Sequence, residues 1–451
     1  MKSYCMTLTV ATALAALCAT AEESPAITEP SIVSVDMKQG ARRVVNITYK
    51  LENAPAIVTL DIQTNGVSIG DANISGGGYL TGEVNKLVKE DGIYVIKWDV
   101  ASAWPDHDIP SGVRAVVSAW SVDTPPDVIV ADLTSKSNVN YYTSIDALPG
   151  GLFANEAYRK TKLVMKRIPA TGIPWTMGSV NDPGRNTTGY EKAHTVTLTN
   201  DYYMGVFELT QSQFYCLTSR DPNKLKKDGH MRPLENIRYV QLRQNHVGNS
   251  AAQNAYAYPN EPYKDSLIGL SRAFTGLMFE VPSEAQWEFA CRALNGDARW
   301  GNGASCSTNY VSNGGETYTV DENLPGRYLG NQATPGNTEA NDSVGVENCT
   351  AEVGSYECNG FGLYDMHGNV SEWTLDYPVK DRTSLPDCDA HGAPNANGAL
   401  DLMGNSLTTR VARGGSWKAE AIECRSAYRI YLPTQTGGKD EIGVRLVINV
   451  K

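Results

Sequence analysis

Gly360-Phe361-Gly362-Leu363-Tyr364-Asp365-Met366-His367-Gly368-Asn369-Val370-Ser371-Glu372-Trp373 is the stretch that orders the rest of this chain. Asp365 and Glu372 bracket its Gly-containing centre. Hard carboxylate and carbonyl oxygens suit Ca²⁺, although on spacing alone such a pair is more often ordinary turn chemistry. Upstream, Ser283 with Gln286 forms a capping box ahead of Trp287-Glu288-Phe289-Ala290-Cys291, so a helix is expected there. Its Trp287, Ala290, Cys291 and Leu294 share one face and should enter the core. Thr210 with Gln213 marks a second helix in the same way. Around these two helices lie short apolar runs and many glycines, an unusual balance that tertiary packing, metal or disulfides must hold together.

Further segments follow in order from residue 163 to 450: Ile173-Pro174-Trp175-Thr176-Met177-Gly178-Ser179, Tyr203-Met204-Gly205-Val206-Phe207-Glu208, Arg413-Gly414-Gly415-Ser416-Trp417, Cys424-Arg425 and Gly443-Val444-Arg445. Together with the loop and the central helix, they make this region resemble the formylglycine-generating enzyme (sulfatase-modifying factor) family. The resemblance implies an α+β, C-type-lectin-like fold with little regular secondary structure. It implies a structural calcium held by the side chains of Asp365 and Glu372 and the carbonyls of Gly368 and Val370, and a second calcium somewhere in 326–345.

The family's oxidases use two cysteines five residues apart after Arg-Gly-Gly-Ser, a paired thiolate site that suits Cu(I). Here the second position is Cys424 and the first is Ala419, followed by Glu420, while a family Trp is replaced by Ser371. Cys424, Ser416 and Arg425 match active-site positions by resemblance only. With one sulfur missing, copper loses its site. The structural reading of Cys424, as a small buried apolar residue, outweighs the catalytic one. Segment 417–441 is expected to wall an exposed pocket, with Trp417, Tyr428 and Tyr431 as candidates for ligand contact.

Residues 30–133 read differently. Val45, Ile47, Tyr49 and Leu51 alternate with polar residues, as do Val58, Leu60 and Ile62 before the turn Asn65-Gly66. Tyr94, Ile96, Trp98 and Val100 repeat the pattern, then Val113, Ala115, Val117 and Ala119. This predicts an all-β sandwich of immunoglobulin or fibronectin type, with 134–162 as a linker and 163–451 as the second domain.

Lys2, an apolar run from Met6 to Cys18 and Ala19-Thr20-Ala21 read as a signal peptide over residues 1–21, placing the mature protein in the periplasm or outside the cell. No other run approaches membrane-spanning length. A net charge of −11 gives no electrostatic reason to expect nucleic acid or an anionic membrane as partner. Cysteines outside the leader can form disulfides after export. Cys349 with Cys358 is the favoured pair and Cys306 with Cys388 a second. No C-x-x-C or H-E-x-x-H occurs, which argues against zinc chemistry. Three functions remain: a secreted, non-catalytic binding or scaffold protein for a peptide, protein or carbohydrate; a formylglycine-generating oxidase acting on a sulfatase cysteine; and a diversified ligand-display protein.

Overall fold

The computed structural model describes residues 28–75, 78–105, 112–180, 182, 191–221, 229–244, 260–296, 298–304, 309–313, 316–332, 349–378, 409–434 and 439–450. The leader 1–21, the Cys306–Cys388 pairing and most of the 326–345 window lie outside the described residues.

The alternating segments become strands. β1 (Ser31–Gln39), β2 (Val44–Glu52), β3 (Ala56–Thr64), β4 (Val67–Ser68), β5 (Leu80–Gly82), β6 (Lys86–Val88), β7 (Gly92–Asp99) and β8 (Val113–Trp120) form two antiparallel sheets. One runs β1-β2-β7-β5, and in the other β3 pairs β4, β6 and β8. Asn65 and Gly66 both take positive φ, 51° and 83°, as a two-residue hairpin turn between β3 and β4 requires. The inner faces share one core: Ile47, Tyr49, Ile96 and Trp98 from one sheet, Val58, Leu60, Ile62 and Val117 from the other.

The expected boundary is corrected. β9 (Val128–Asp132) pairs β11 (Lys162–Ile168) and β10 (Val139–Tyr142), so residues before 133 already belong to the second sheet. The segment 134–162 carries β10 and helical turns at Ile145–Ala147 and Ala157–Lys160 and is not a linker. It binds the sandwich directly: Tyr141 N–H donates to the Asn85 carbonyl at 2.8 Å, and Ser75 Oγ to the Ala147 carbonyl at 2.7 Å. Asp71 accepts from the hydroxyls of Thr143 and Ser144 at 2.9 and 2.5 Å.

The second domain is mixed α/β, mostly sheet. β12 (Pro174–Met177) pairs β13 (His194–Thr197). β14 (Tyr202–Gly205), β15 (Phe279–Glu280) and β22 (Val447–Asn449) complete the sheet β10-β9-β11-β14-β22-β15. β16 (Asn309–Asn313) and β17 (Glu316–Val320) form a hairpin. β18 (Ser371–Trp373), β19 (Thr409–Arg413), β20 (Ile430–Pro433) and β21 (Ile442–Gly443) form a sheet in the order β20-β19-β18-β21.

Both predicted helices form, Gln211–Thr218 and Glu284–Arg292, each with its reciprocal capping box, and Trp287, Ala290 and Cys291 are buried as expected while Leu294, past the helix end, is exposed. A third, Leu267–Thr275, is capped by Ser266 without a Glu or Gln at the third helical position. Among the described residues no helix is long and apolar enough to cross a membrane.

Candidate ligand cleft

Strand β18 ends the quoted loop, β19 runs into Arg413-Gly414-Gly415-Ser416, and β20 returns beside it. Between these strands and residues 416–428 and 439–442 opens a cleft of about 190 Å³. Ser371, Ser416 and Ala419 lie at one side, and Ile430, Leu432 and Ile442 supply apolar surface. Lys418, Glu423, Tyr428, Lys439 and Glu441 bring the charge and hydrogen-bonding groups. Lys418 Nζ sits 2.5 Å from Asp440 and 3.7 Å from Glu441, and Lys439 lies 3.2 Å from Glu441. Tyr428 donates its hydroxyl to Glu423 at 3.0 Å. Both charge signs are thus fixed on a wall that also carries hydroxyl groups and apolar surface.

The residues expected at this site divide. Ser416 and Tyr428 line the cleft. Cys424 does not: it is wholly buried in a cluster with Trp300, Leu324, Tyr328, Ala419 and Ala421. Burial pushes its thiol far above the ordinary cysteine range. Gly415 explains how closely the chain passes it: φ is +72°, and a Cβ there would stand 2.5 Å from Cys424 Sγ.

Arg425 is turned inward onto Glu191, at 2.9 and 3.1 Å, with Asp182 at 3.5 Å. Glu420 accepts from the backbone N–H and hydroxyl of Thr319 at 2.9 and 3.0 Å, which holds it on β17. Trp417 is buried and donates Nε1–H to the Asp440 carbonyl at 2.9 Å, so it props the cleft wall and offers no face to a ligand. Tyr431 alternates away from Ile430 and Leu432, beneath the Arg429 guanidinium 5.4 Å from its ring. Nothing local in the sequence marks the cleft's charged residues, because charge is ordinary on any solvent-facing segment. The period-2 alternation of Ile430 and Leu432 was the available signal.

Both carboxylates proposed for calcium have protein partners. Glu372 takes Arg445 on both oxygens, with Trp287 Nε1–H at 2.6 Å. Asp365 accepts Gly354 N–H at 2.6 Å through Oδ2, while its buried Oδ1 has no hydrogen-bond partner. Burial raises its pKa to about 6. The Val370 N–H and the Asn369 side chain both donate to Glu208, at 3.1 and 2.6 Å. Among the described residues, no group of three or more His, Cys, Asp or Glu is disposed to hold a metal ion. Arg445 and Trp287 thus occupy both Glu372 oxygens in this arrangement.

His367, in the same loop, is a fixed neutral cross-link. Nε2 accepts Gly301 N–H at 2.8 Å, and Nδ1–H donates to the Cys424 carbonyl at 2.8 Å. Burial pulls its pKa down to about 4.

The Cys349–Cys358 disulfide is corrected: both thiols are free. Arg232 claims Cys349, donating to Sγ at 2.7 Å and also to the neighbouring Thr350 carbonyl. Cys358 remains partly exposed on the other side of the turn and interacts with Tyr364.

A mostly-sheet α/β domain, with a charged cleft beside a glycine-turned Arg-Gly-Gly-Ser loop, defines a protein of the sulfatase-modifying factor class. Residues 142–450 match the sulfatase-modifying factor enzyme 1-like domain, and the chain belongs to that family. It is 25% identical over 272 residues to the chaperone protein LppX of Paenibacillus barcinonensis, covering 56% of this chain and 81% of that one. It is 29% identical over 154 residues to the formylglycine-generating enzyme of Thermomonospora curvata, covering 33% of this chain and 42% of the enzyme. Among solved structures it is similar to PvdO from Pseudomonas aeruginosa, with a TM-score of 0.43 and 21% identity over 63% of this chain and 94% of that one. Treponema denticola variable protein 1 gives a TM-score of 0.40 and 21% identity over 64% and 95% of the two chains.

Proposed function

We propose that this protein is a secreted, non-catalytic member of its family that holds a peptide or carbohydrate ligand in the cleft between Ser416 and Ile442. One observation carries the reading. Ala419 lines the cleft where the family's oxidases place a cysteine, and Cys424 is withdrawn into an apolar cluster behind it. Copper chemistry of the family's kind needs two presented thiolates, and here one sulfur is absent and the other is neutral and enclosed. The relative that bears a chaperone's name supports binding over oxidation. The two-sheet N-terminal module, read as an immunoglobulin- or fibronectin-type spacer, would carry the cleft away from its attachment, with export following cleavage after Ala21.

The test is mass spectrometry of a Cys-x-Pro-x-Arg peptide incubated with the protein, Cu(I), oxygen and reductant. The thiol should persist. Conversion to an aldehyde, abolished by Cys424→Ser, would make the protein an oxidase. In parallel, Lys418→Glu and Ile430→Asp should abolish binding to whichever glycan or peptide an array returns, with folding intact.

A further inference from the structure

Four ionisable side chains meet beneath the quoted loop: Glu208, Asp365, Glu372 and Arg445, none more than 2% exposed. Arg445 Nε lies 3.0 and 3.1 Å from the two Glu372 oxygens, and Nη2 lies 2.7 Å from Oε1. Its remaining donors gather backbone carbonyls: Gly205 at 3.0 Å, Val206 at 3.1 Å and Tyr364 at 2.8 Å. One cation thereby ties the end of β14 to the loop and to β18.

We infer that Arg445 occupies the Glu372 carboxylate that the family resemblance gives to calcium, so that this carboxylate holds the loop without a metal. Calcium asks for six to eight oxygens at about 2.3–2.6 Å. Both Glu372 oxygens already face a guanidinium, so a dication sharing them would meet a like charge in a buried setting where repulsion is poorly screened. A planar fork of five donors suits the job: it matches the carboxylate on one edge and spends its other N–H groups on carbonyls. A structural calcium would collect a carboxylate and carbonyls in the same manner. Asp365 adds to the field that retains Arg445, while burial and the neighbouring carboxylates push the Glu208 carboxyl well above its ordinary range.

The full-length protein, its Glu372→Gln variant and its Arg445→Ala and Arg445→Lys variants are melted with calcium and with chelator, and bound calcium is counted by elemental analysis. A structural calcium at a hundredfold excess over its Kd would raise Tm by roughly 5–10 °C. The wild type should show no such shift. Glu372→Gln should melt lower and equally in both conditions, because it strands Arg445. Arg445→Ala should melt much lower and regain part of the loss with calcium, since the Glu372 carboxylate is then freed beside Asp365. Arg445→Lys should lie between and ignore calcium. Calcium bound by the wild type and lost in Glu372→Gln overturns the inference. A calcium response that Glu372→Gln keeps belongs to another site and upholds it. Should Arg445→Ala fail to fold, the wild type and Glu372→Gln still decide.

Discussion

The two halves of this molecule bury different things. Among the described residues of the sandwich, the buried polar side chains are Thr59 and Ser75, and the interior is Val, Ile, Leu, Tyr and Trp. The second domain buries Arg243, Arg292, Arg413, Arg425 and Arg445, each on a carboxylate. The difference follows from how each half satisfies its backbone. In the sandwich, ladder hydrogen bonds pair nearly every buried N–H and C=O, so side chains need only be apolar. In the second domain long irregular segments leave carbonyls inside without a ladder. Guanidinium groups reach them: Arg413 donates to the carbonyls of Ser426, Ala427 and Tyr428, and Arg292 to those of Gly178, Gly296 and Ala298. The carboxylates then neutralise the arginines. Buried arginine does here what a neighbouring strand does in a sheet.

Removing one carboxylate should therefore do more harm than any single polar change in the sandwich. Glu288 accepts from Gly178 N–H and serves both Arg292 and Arg413. Glu288→Ala leaves two buried cations short of a partner and should cost about 3–5 kcal/mol. Denaturant unfolding would show the second domain losing stability while the sandwich transition holds. Equal loss in both transitions would break the comparison.

The converse change tests the sandwich. Val58 is fully buried on β3, and Val58→Thr keeps its shape while adding a hydroxyl with no assigned partner. A cost of about 1–3 kcal/mol is expected in the first transition. A neutral result would mean that this core tolerates polarity as well as its neighbour does.

Acid should separate the halves more gently. Burial works to raise the pKa of Asp201, but hydrogen bonds from Thr171 and the Arg167 guanidinium outweigh it and hold the carboxyl below its usual range. A depressed carboxylate contributes stability that is present above the unfolded pKa of about 3.9 and is lost as pH falls through the folded value. The effect is small because Arg167 is well exposed to solvent. Asp201→Asn should flatten the acid limb of the second domain's stability curve slightly and leave the sandwich's unchanged.

What was legible in the sequence was local. Ser283–Gln286 and Thr210–Gln213 announce their helices because a capping box lies within four residues. β2, β3, β7 and β8 announce themselves because one face is apolar. The helix Leu267–Thr275 was missed because Ser266 caps it with Gly269 at the third position, leaving no reciprocal side chain. The domain boundary was misplaced because Val128–Ala131 is buried on both faces, which erases alternation. The arginine–carboxylate pairs were out of reach altogether. Arg425 and Glu191 stand 234 residues apart, and no pattern in either neighbourhood points to the other. Glu372 and Arg445, 73 residues apart, were hidden in the same way, as was the packing of Cys424 against Trp300 and Leu324.

The contacts of Tyr141 with Asn85, of Ser75 with Ala147 and of Asp71 with Thr143 and Ser144 have a mechanical meaning. A flexible tether would let the cleft swing and would absorb a pull as chain extension before any domain felt it. Here the segment from Thr134 to Lys162 is built into folded structure on both sides, so the joint has no slack to give. A load applied to a ligand in the cleft passes through β11 and β9 and arrives at the sandwich as shear and torque. A pull across the joint is met first by those hydrogen bonds between folded elements, not by the extension of a free tether.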